Sequence, residues 1–314
     1  MLALAFLALV PALALGAAVP RAVGQGTSVL AKDALDASNP LHLSPLLAIA
    51  AATSDTAVWA CGSNCDAVPS VVPVASGGDG SFVQYWYVAY SKTFNSVVVS
   101  HQGTKTANVI PLITDLNFFL TSPSNTTFPG LAKAGIQVHN GFHDQHGQTY
   151  PDILAAVKKT MSQYKTKSIL LTGHSLGAAL SVLDAIALQM VLPKDTQFRI
   201  TTFGQPRMGN QNFADYVDAH FAAVIRMTNK DDPVPTLPGR FLGFSNFRGE
   251  VHIKSSDDSL VVCHGQDNAD SSCTIGEVPT IFSGDVTLHK GPYLGVIMKC
   301  HNADGTEVHF AGDD

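Results

Sequence analysis

Ten residues constrain this chain more than any others: Ser168-Ile169-Leu170-Leu171-Thr172-Gly173-His174-Ser175-Leu176-Gly177. Three apolar residues and a threonine lead into Gly-His-Ser-Leu-Gly, after which Leu176, Leu180, Leu183 and Ala187 recur at helical spacing. The pattern predicts a strand, a sharp turn and a helix. Such a turn forces Ser175 into a strained backbone conformation, and glycines on either side let strand and helix approach closely. The Ser175 hydroxyl would then stand above the sheet edge, with the Leu176 N–H at the helix start pointing toward a developing oxyanion. Ser175 is therefore the candidate nucleophile and Leu176 a candidate oxyanion donor.

A serine hydroxyl is a weak nucleophile until an imidazole takes its proton, and that imidazole needs a carboxylate to fix its tautomer. Around such a turn the acid and then the histidine follow the serine in the chain. The histidines beyond Ser175 are His220, His252, His264, His289, His301 and His309. His289 stands out because Gly291 and Pro292 shape its loop just before the apolar stretch 294–298. For the acid, Asp231 and Asp232 follow an apolar strand pattern and precede Pro233-Val234-Pro235, whose prolines stiffen the loop. Asp184, within a helix, and Asp285, in a short loop, read more simply as surface residues.

Composition narrows the field further. Of 314 residues 46% are hydrophobic and only 14% charged, which suits a well-buried globular enzyme. A net charge of -6 leaves no electrostatic footprint for nucleic acid. Residues 1–18 form a short apolar run ending in small residues, read as a secretory signal, and 19–44 as a processed or loosely held leader. No later segment is long and apolar enough to cross a membrane. Export makes disulfides the natural state of the cysteines, with Cys61 to Cys65 and Cys263 to Cys273 closing local loops and Cys300 left over. Their spacing does not suggest zinc, and no glycine-rich phosphate loop or carboxylate cluster calls for a nucleotide or divalent metal. The expectation is no cofactor and no metal.

Along the chain, helices are expected over 45–52, 151–164 and 212–218, and strands over 82–90, 96–100, 198–203 and 223–227. Strand alternating with helix around the turn implies a parallel or mixed sheet covered on both faces. No linker or repeat interrupts 45–300, and 301–314 is a polar tail. Asn125-Thr126-Thr127 is the one glycosylation sequon.

These residues resemble the secreted fungal triacylglycerol lipases of the Rhizomucor type, the class 3 branch of the α/β-hydrolases. The resemblance rests on Gly103-Thr104, Val138-His139-Asn140-Gly141-Phe142, Gly173-His174-Ser175-Leu176-Gly177, Phe203-Gly204-Gln205-Pro206-Arg207-Met208-Gly209-Asn210, Asp232-Pro233-Val234-Pro235, and His289 with Tyr293. It implies a mostly parallel central sheet with helices on both faces and a short helical lid. It places the nucleophile on Ser175, the acid on Asp232, the base on His289 and the second oxyanion donor on Thr104. Val109, Leu112, Ile113 and Leu116 fall on one helical face between Asn108 and Phe118, and the resemblance makes that helix the lid. The implied activity is lid-gated hydrolysis of acylglycerols at a lipid–water interface by a secreted enzyme. A feruloyl esterase on the same fold and a catalytically inactive secreted binding protein are the alternatives.

Family members typically pair a cysteine shortly after the base with one near the N-terminus. Cys300 occupies the first place, but no cysteine lies over 48–56 to meet it. Thiol titration of the denatured monomer is expected to find one free sulfhydryl; none would require an intermolecular bond or another connectivity.

Overall fold

The computed structural model describes residues 26–29, 44–48, 51, 54–104 and 119–298. Nine strands form one sheet: β1 (Thr27–Val29), β2 (Val71–Gly77), β3 (Trp86–Ser91), β4 (Ser96–His101), β5 (Ser168–His174), β6 (Gln197–Phe203), β7 (Ala223–Asn229), β8 (Glu250–Ile253) and β9 (Leu260–Cys263). Their spatial order is β1-β9-β8-β7-β6-β5-β4-β3-β2. From β4 to β8 every pairing is parallel, and the flanking pairs are antiparallel. This is an α/β-hydrolase sheet, with β5, the strand that leads to Ser175, flanked by parallel neighbours on both sides.

Period-two alternation sorts the central strands onto two faces. Val97, Val99, Ile169 and Leu171 pack with residues of α1 (Asn140–Tyr164), α2 (Leu176–Val191) and α3 (Gln211–His220). Val98 and Leu170 face the other way, against Leu47 from a helical turn over 44–48 and the Cys61–Cys65 loop. Farther along, Phe203, Met227 and Val251 pack with Tyr293 and Met298. Every residue of α2 from Leu176 to Leu188 is buried, so that helix has no solvent face to orient it. A second bond joins Cys263 to Cys273. The signal over 1–18, the lid residues Val109, Leu112, Ile113 and Leu116, Cys300 and the tail lie outside the described residues. Among those described, no helix is long and apolar enough to cross a membrane.

Three elements depart from the pattern read in sequence. Helix α1 begins at Asn140 rather than Pro151, which lies exposed in its interior. The buried stripe of Phe142, His146, Thr149 and Tyr150 continues through Ile153, Ala156, Val157 and Thr160. Five of these eight are polar or aromatic rather than aliphatic, so the period is faint; burying them offsets a proline cost of about 3 kcal/mol. Strand β2, for which the sequence pattern gives no strand, contains Pro73 and a register shift between Pro73 and Ala75. Proline is tolerated there because β2 is the last strand of the sheet. Strand β3 starts at Trp86, not Phe82, whose ring is exposed.

The tightest packing lies where β5 meets α2. A Cβ on Gly177 would sit 2.2 Å from the His101 carbonyl oxygen, and one on Gly173 would sit 2.5 Å from the Gly177 carbonyl carbon. Backbone faces backbone at both places, so neither contact can relax by turning a side chain. Gly177→Ala is expected to cost at least the roughly 1–3 kcal/mol typical of overpacking, read as a thermal midpoint several degrees lower or as failure to accumulate folded protein.

Candidate active site

Ser175 is the N-cap of α2 with φ 57° and ψ −125°, a positive φ that a side chain rarely adopts. Strain of that kind persists only where neighbours over-determine it. Here the Ser175 N–H donates to the Phe203 carbonyl on β6 at 3.0 Å, and the flanking glycines let strand and helix close on the turn.

Asp232 lies just beyond β7. Its Oδ1 accepts the Val234 N–H at 2.9 Å, and its Oδ2 accepts His289 Nδ1–H at 2.8 Å. Both side chains are wholly buried. Asp231, by contrast, accepts the Ser255 hydroxyl at 2.9 Å and reaches the surface. Adjacent carboxylates thus diverge, and only one of them meets the imidazole. The stretch after Asp232 is held from below by Arg207, whose guanidinium donates to the carbonyls of Thr236 and Pro238 and to Asp267.

His289 sits in a short 3-10 helix, Val286–Lys290, capped by Asp285, which accepts the Thr287 N–H. Its carbonyl oxygen accepts from His174 Nε2 at 2.7 Å and from the Tyr293 hydroxyl at 3.1 Å. The preceding carbonyl, of Leu288, accepts from Asn229 Nδ2 at 2.8 Å. With three donors on two successive carbonyls the loop cannot turn. The His174 and His289 rings stand 4.4 Å apart between centroids, which places the imidazole beside the residue that precedes Ser175. Nδ1 being committed to Asp232, the ring's other nitrogen, Nε2, is buried and has no hydrogen-bond partner among the described residues. That nitrogen is the one a general base uses.

Gly103 runs past the turn: a Cβ there would come 3.3 Å from the Ser175 Cβ. Thr104, next in the chain, holds a buried Oγ1 with no partner among the described residues. The Leu176 N–H opens α2, where the first amides have no partner within the helix. Thr104 and Leu176 therefore frame Ser175 from two different elements.

Burial and the nearby His289 hold the His174 imidazole well below its usual range, which keeps it neutral, while burial and the charge of Asp232 push the Tyr293 phenol up. Gly204, at φ 55°, is the residue that sequence reasoning did not explain: a Cβ would lie 2.7 Å from the Tyr293 hydroxyl and 2.8 Å from His289 Cε1. Asp184 is a correction. Far from the surface, it is fully buried against His101 and His146. Asp285 is exposed, as its loop suggested.

A cavity of about 780 Å³ lies between the segment after Asp232 and the segment before His289. Leu237, Pro238, Val278 and Ile281 line it, with Phe241 and Phe282 almost fully exposed at its rim. Among the described residues the one cluster with metal-ligand chemistry is Glu250, Cys263 and Cys273, and its two sulfurs are bonded to each other. It cannot ligate while that bond stands.

Residues 98–242 match the model of the class 3 lipases. A secreted mono- and diacylglycerol lipase of Malassezia restricta is 33% identical over 179 residues, covering 57% of this chain and 58% of that protein. Another, from Gibberella zeae, is 29% identical over 241 residues, 73% of this chain and 71% of its own. The chain spans at most about three fifths of the first curated relatives it matches. Among solved structures, the triacylglyceride lipase of Rhizomucor miehei superposes with a TM-score of 0.73 at 25% identity, covering 87% of this chain and 98% of that one. The same scores relate the chain to a triacylglycerol lipase whose catalytic centre is a serine protease triad.

The lowered His174 has a consequence for stability. Its ordinary value is 6.5. Below that the unfolded chain takes up a proton that the folded one refuses, so the stability tied to this residue is full above pH 6.5 and is lost as pH falls toward the lowered value. His174→Gln is expected to flatten the decline of the thermal midpoint between about pH 6.5 and 4.5; an unchanged slope would show that His174 titrates normally.

Proposed function

We propose, from the match of residues 98–242 to the class 3 lipases, that this chain is a secreted serine ester hydrolase acting on acylglycerols. The observation that carries the reading is the buried Asp232–His289 hydrogen bond, 2.8 Å long, standing beside the strained Ser175 turn with the far nitrogen of the ring free.

Acyl transfer follows from these positions. Nε2 of His289 takes the proton of Ser175 as the hydroxyl oxygen attacks the ester carbonyl, and Asp232 stabilises the imidazolium that results. The Leu176 N–H, with the N–H and hydroxyl of Thr104, receives the negative charge of the tetrahedral intermediate; one such donor is worth about 2.7–4 kcal/mol. The imidazolium then protonates the leaving alcohol, and water, deprotonated by the same nitrogen, releases the acid from the acyl-enzyme. No metal or cofactor is needed for any step.

Substrate class rests on three supports. The family and the acylglycerol lipases it contains point to a glycerol ester, and the apolar cavity beside the acid and base loops suits a long acyl chain. The helical spacing of Val109, Leu112, Ile113 and Leu116 in the sequence is what a lid held open by a lipid surface would require. Secretion is supported by the N-terminal apolar run and by two disulfides, which persist in oxidising compartments.

Ser175→Ala is expected to leave a folded protein with ester hydrolysis down by at least about 10³-fold. Asp232→Asn should lower kcat by roughly 10⁴-fold, while Asp231→Asn changes it little. Equal losses from the two aspartates would overturn the assignment of the acid. On substrates, rates on emulsified long-chain acylglycerol are expected to exceed those on short soluble esters and on methyl ferulate, with a jump once the emulsion forms. A preference for the ferulate would make the protein a feruloyl esterase on the same machinery.

A further inference from the structure

Behind the nucleophile turn lies a group of ionisable side chains that acyl transfer does not use. His101 closes β4, Asp184 lies on α2 and His146 on α1. His101 Nε2 is 2.6 Å from Asp184 Oδ2, and His146 Nε2 is 3.1 Å from Asp184 Oδ1. All three side chains are at most 1% exposed. Burial pushes the Asp184 carboxyl up, but the two imidazoles more than offset it and hold it below its usual range. A buried carboxylate has to be hydrogen-bonded to persist, and His101 supplies that bond at 2.6 Å. The same charge, after burial, helps push the Tyr150 phenol up to about 12.

Cohesion between layers does not require this. Three apolar side chains of similar volume would hold sheet and helices together as well or better. What a charge-assisted hydrogen bond adds is direction and length. Both matter here because of what the two ends carry. The candidate oxyanion donors belong to separate elements: Thr104 follows β4 by three residues, and the Leu176 N–H opens α2. The His101–Asp184 bond ties those two elements together through side chains. Close by, the His101 carbonyl presses on Gly177 in the first turn of α2. On its other side the loop is fixed as well, since Gln102 N–H donates to the Tyr85 carbonyl at 2.7 Å and Gln102 Oε1 accepts the Tyr85 N–H at 3.0 Å.

We propose that Asp184, acting through His101, is a positioning residue that sets the spacing between Thr104 and the Leu176 N–H, and with it the fit of the oxyanion hole to the tetrahedral intermediate. This rests on the acyl-transfer reading above. His146 Nε2 stands 3.1 Å from the second carboxylate oxygen without forming a hydrogen bond to it, so His101 is the partner that orients the group.

The test compares the wild type with Asp184→Asn, Thr104→Val and the double variant, on a soluble ester and with a serine-directed phosphonate. Asp184→Asn is expected to keep its circular dichroism while kcat falls about 10- to 100-fold and KM stays within about twofold. Phosphonylation should slow by the same factor as kcat, because that adduct also places an oxygen in the hole. The double variant should lose less than the product of the two single losses, since both changes act on the donors of Thr104. Unchanged kcat with only a lower thermal midpoint would overturn the proposal, as would losses that multiply in the double variant. Should Asp184→Asn fail to fold, His101→Gln is judged by the same criteria. A wild type that neither hydrolyses esters nor is labelled at Ser175 would instead sink the acyl-transfer reading, and the oxyanion proposal with it.

Discussion

Strand β5 and helix α2 meet with no room for a single carbon between their backbones, and most of what this molecule can do depends on that contact. Gly173 and Gly177 make it possible, the His101 carbonyl presses on it from the neighbouring strand, and Ser175 absorbs the resulting distortion in its φ and ψ. A helix with every residue buried from Leu176 to Leu188 cannot rotate to relieve the strain, because there is no polar face to bring round. The serine is thus held by the whole core rather than by its own loop.

The acid and base are held differently. They sit on loops, where backbone groups are fewer and must be fixed one at a time. Each of the two loops is pinned by donors to its carbonyls: Arg207 beneath the stretch after Asp232, and His174, Tyr293 and Asn229 around His289. His174 belongs to the nucleophile turn, so its hydrogen bond to the His289 carbonyl couples the base loop directly to the element that carries the serine. A neutral imidazole suits that task, since a charged one would repel the imidazolium that the proposed acyl transfer forms on His289.

The sequence made the turn legible because glycine, serine and an apolar strand pattern leave few other solutions. The choice between Asp231 and Asp232 was open in the residues alone, where both precede the same prolines; only the direction of each side chain separates them. Helix α1 was read eleven residues short because its buried stripe is built from His146, Thr149 and Tyr150, which no hydrophobic period reveals. Asp184 was misplaced for the same reason. A charged residue at helical spacing reads as a solvated face until the histidines that neutralise it, one on a strand and one on another helix, are brought beside it. What the sequence hides, in each case, is a polar residue made comfortable indoors by partners far away in the chain.

Pro73 and the register break beside it also limit how copies of this molecule can meet. Among the described residues the sheet ends at β2, and an outer strand with an open edge is an invitation for a neighbour to add another. A missing amide and a one-residue misfit against β3 deny such a neighbour a continuous ladder. That irregular border keeps molecules packed side by side from zipping into a shared sheet.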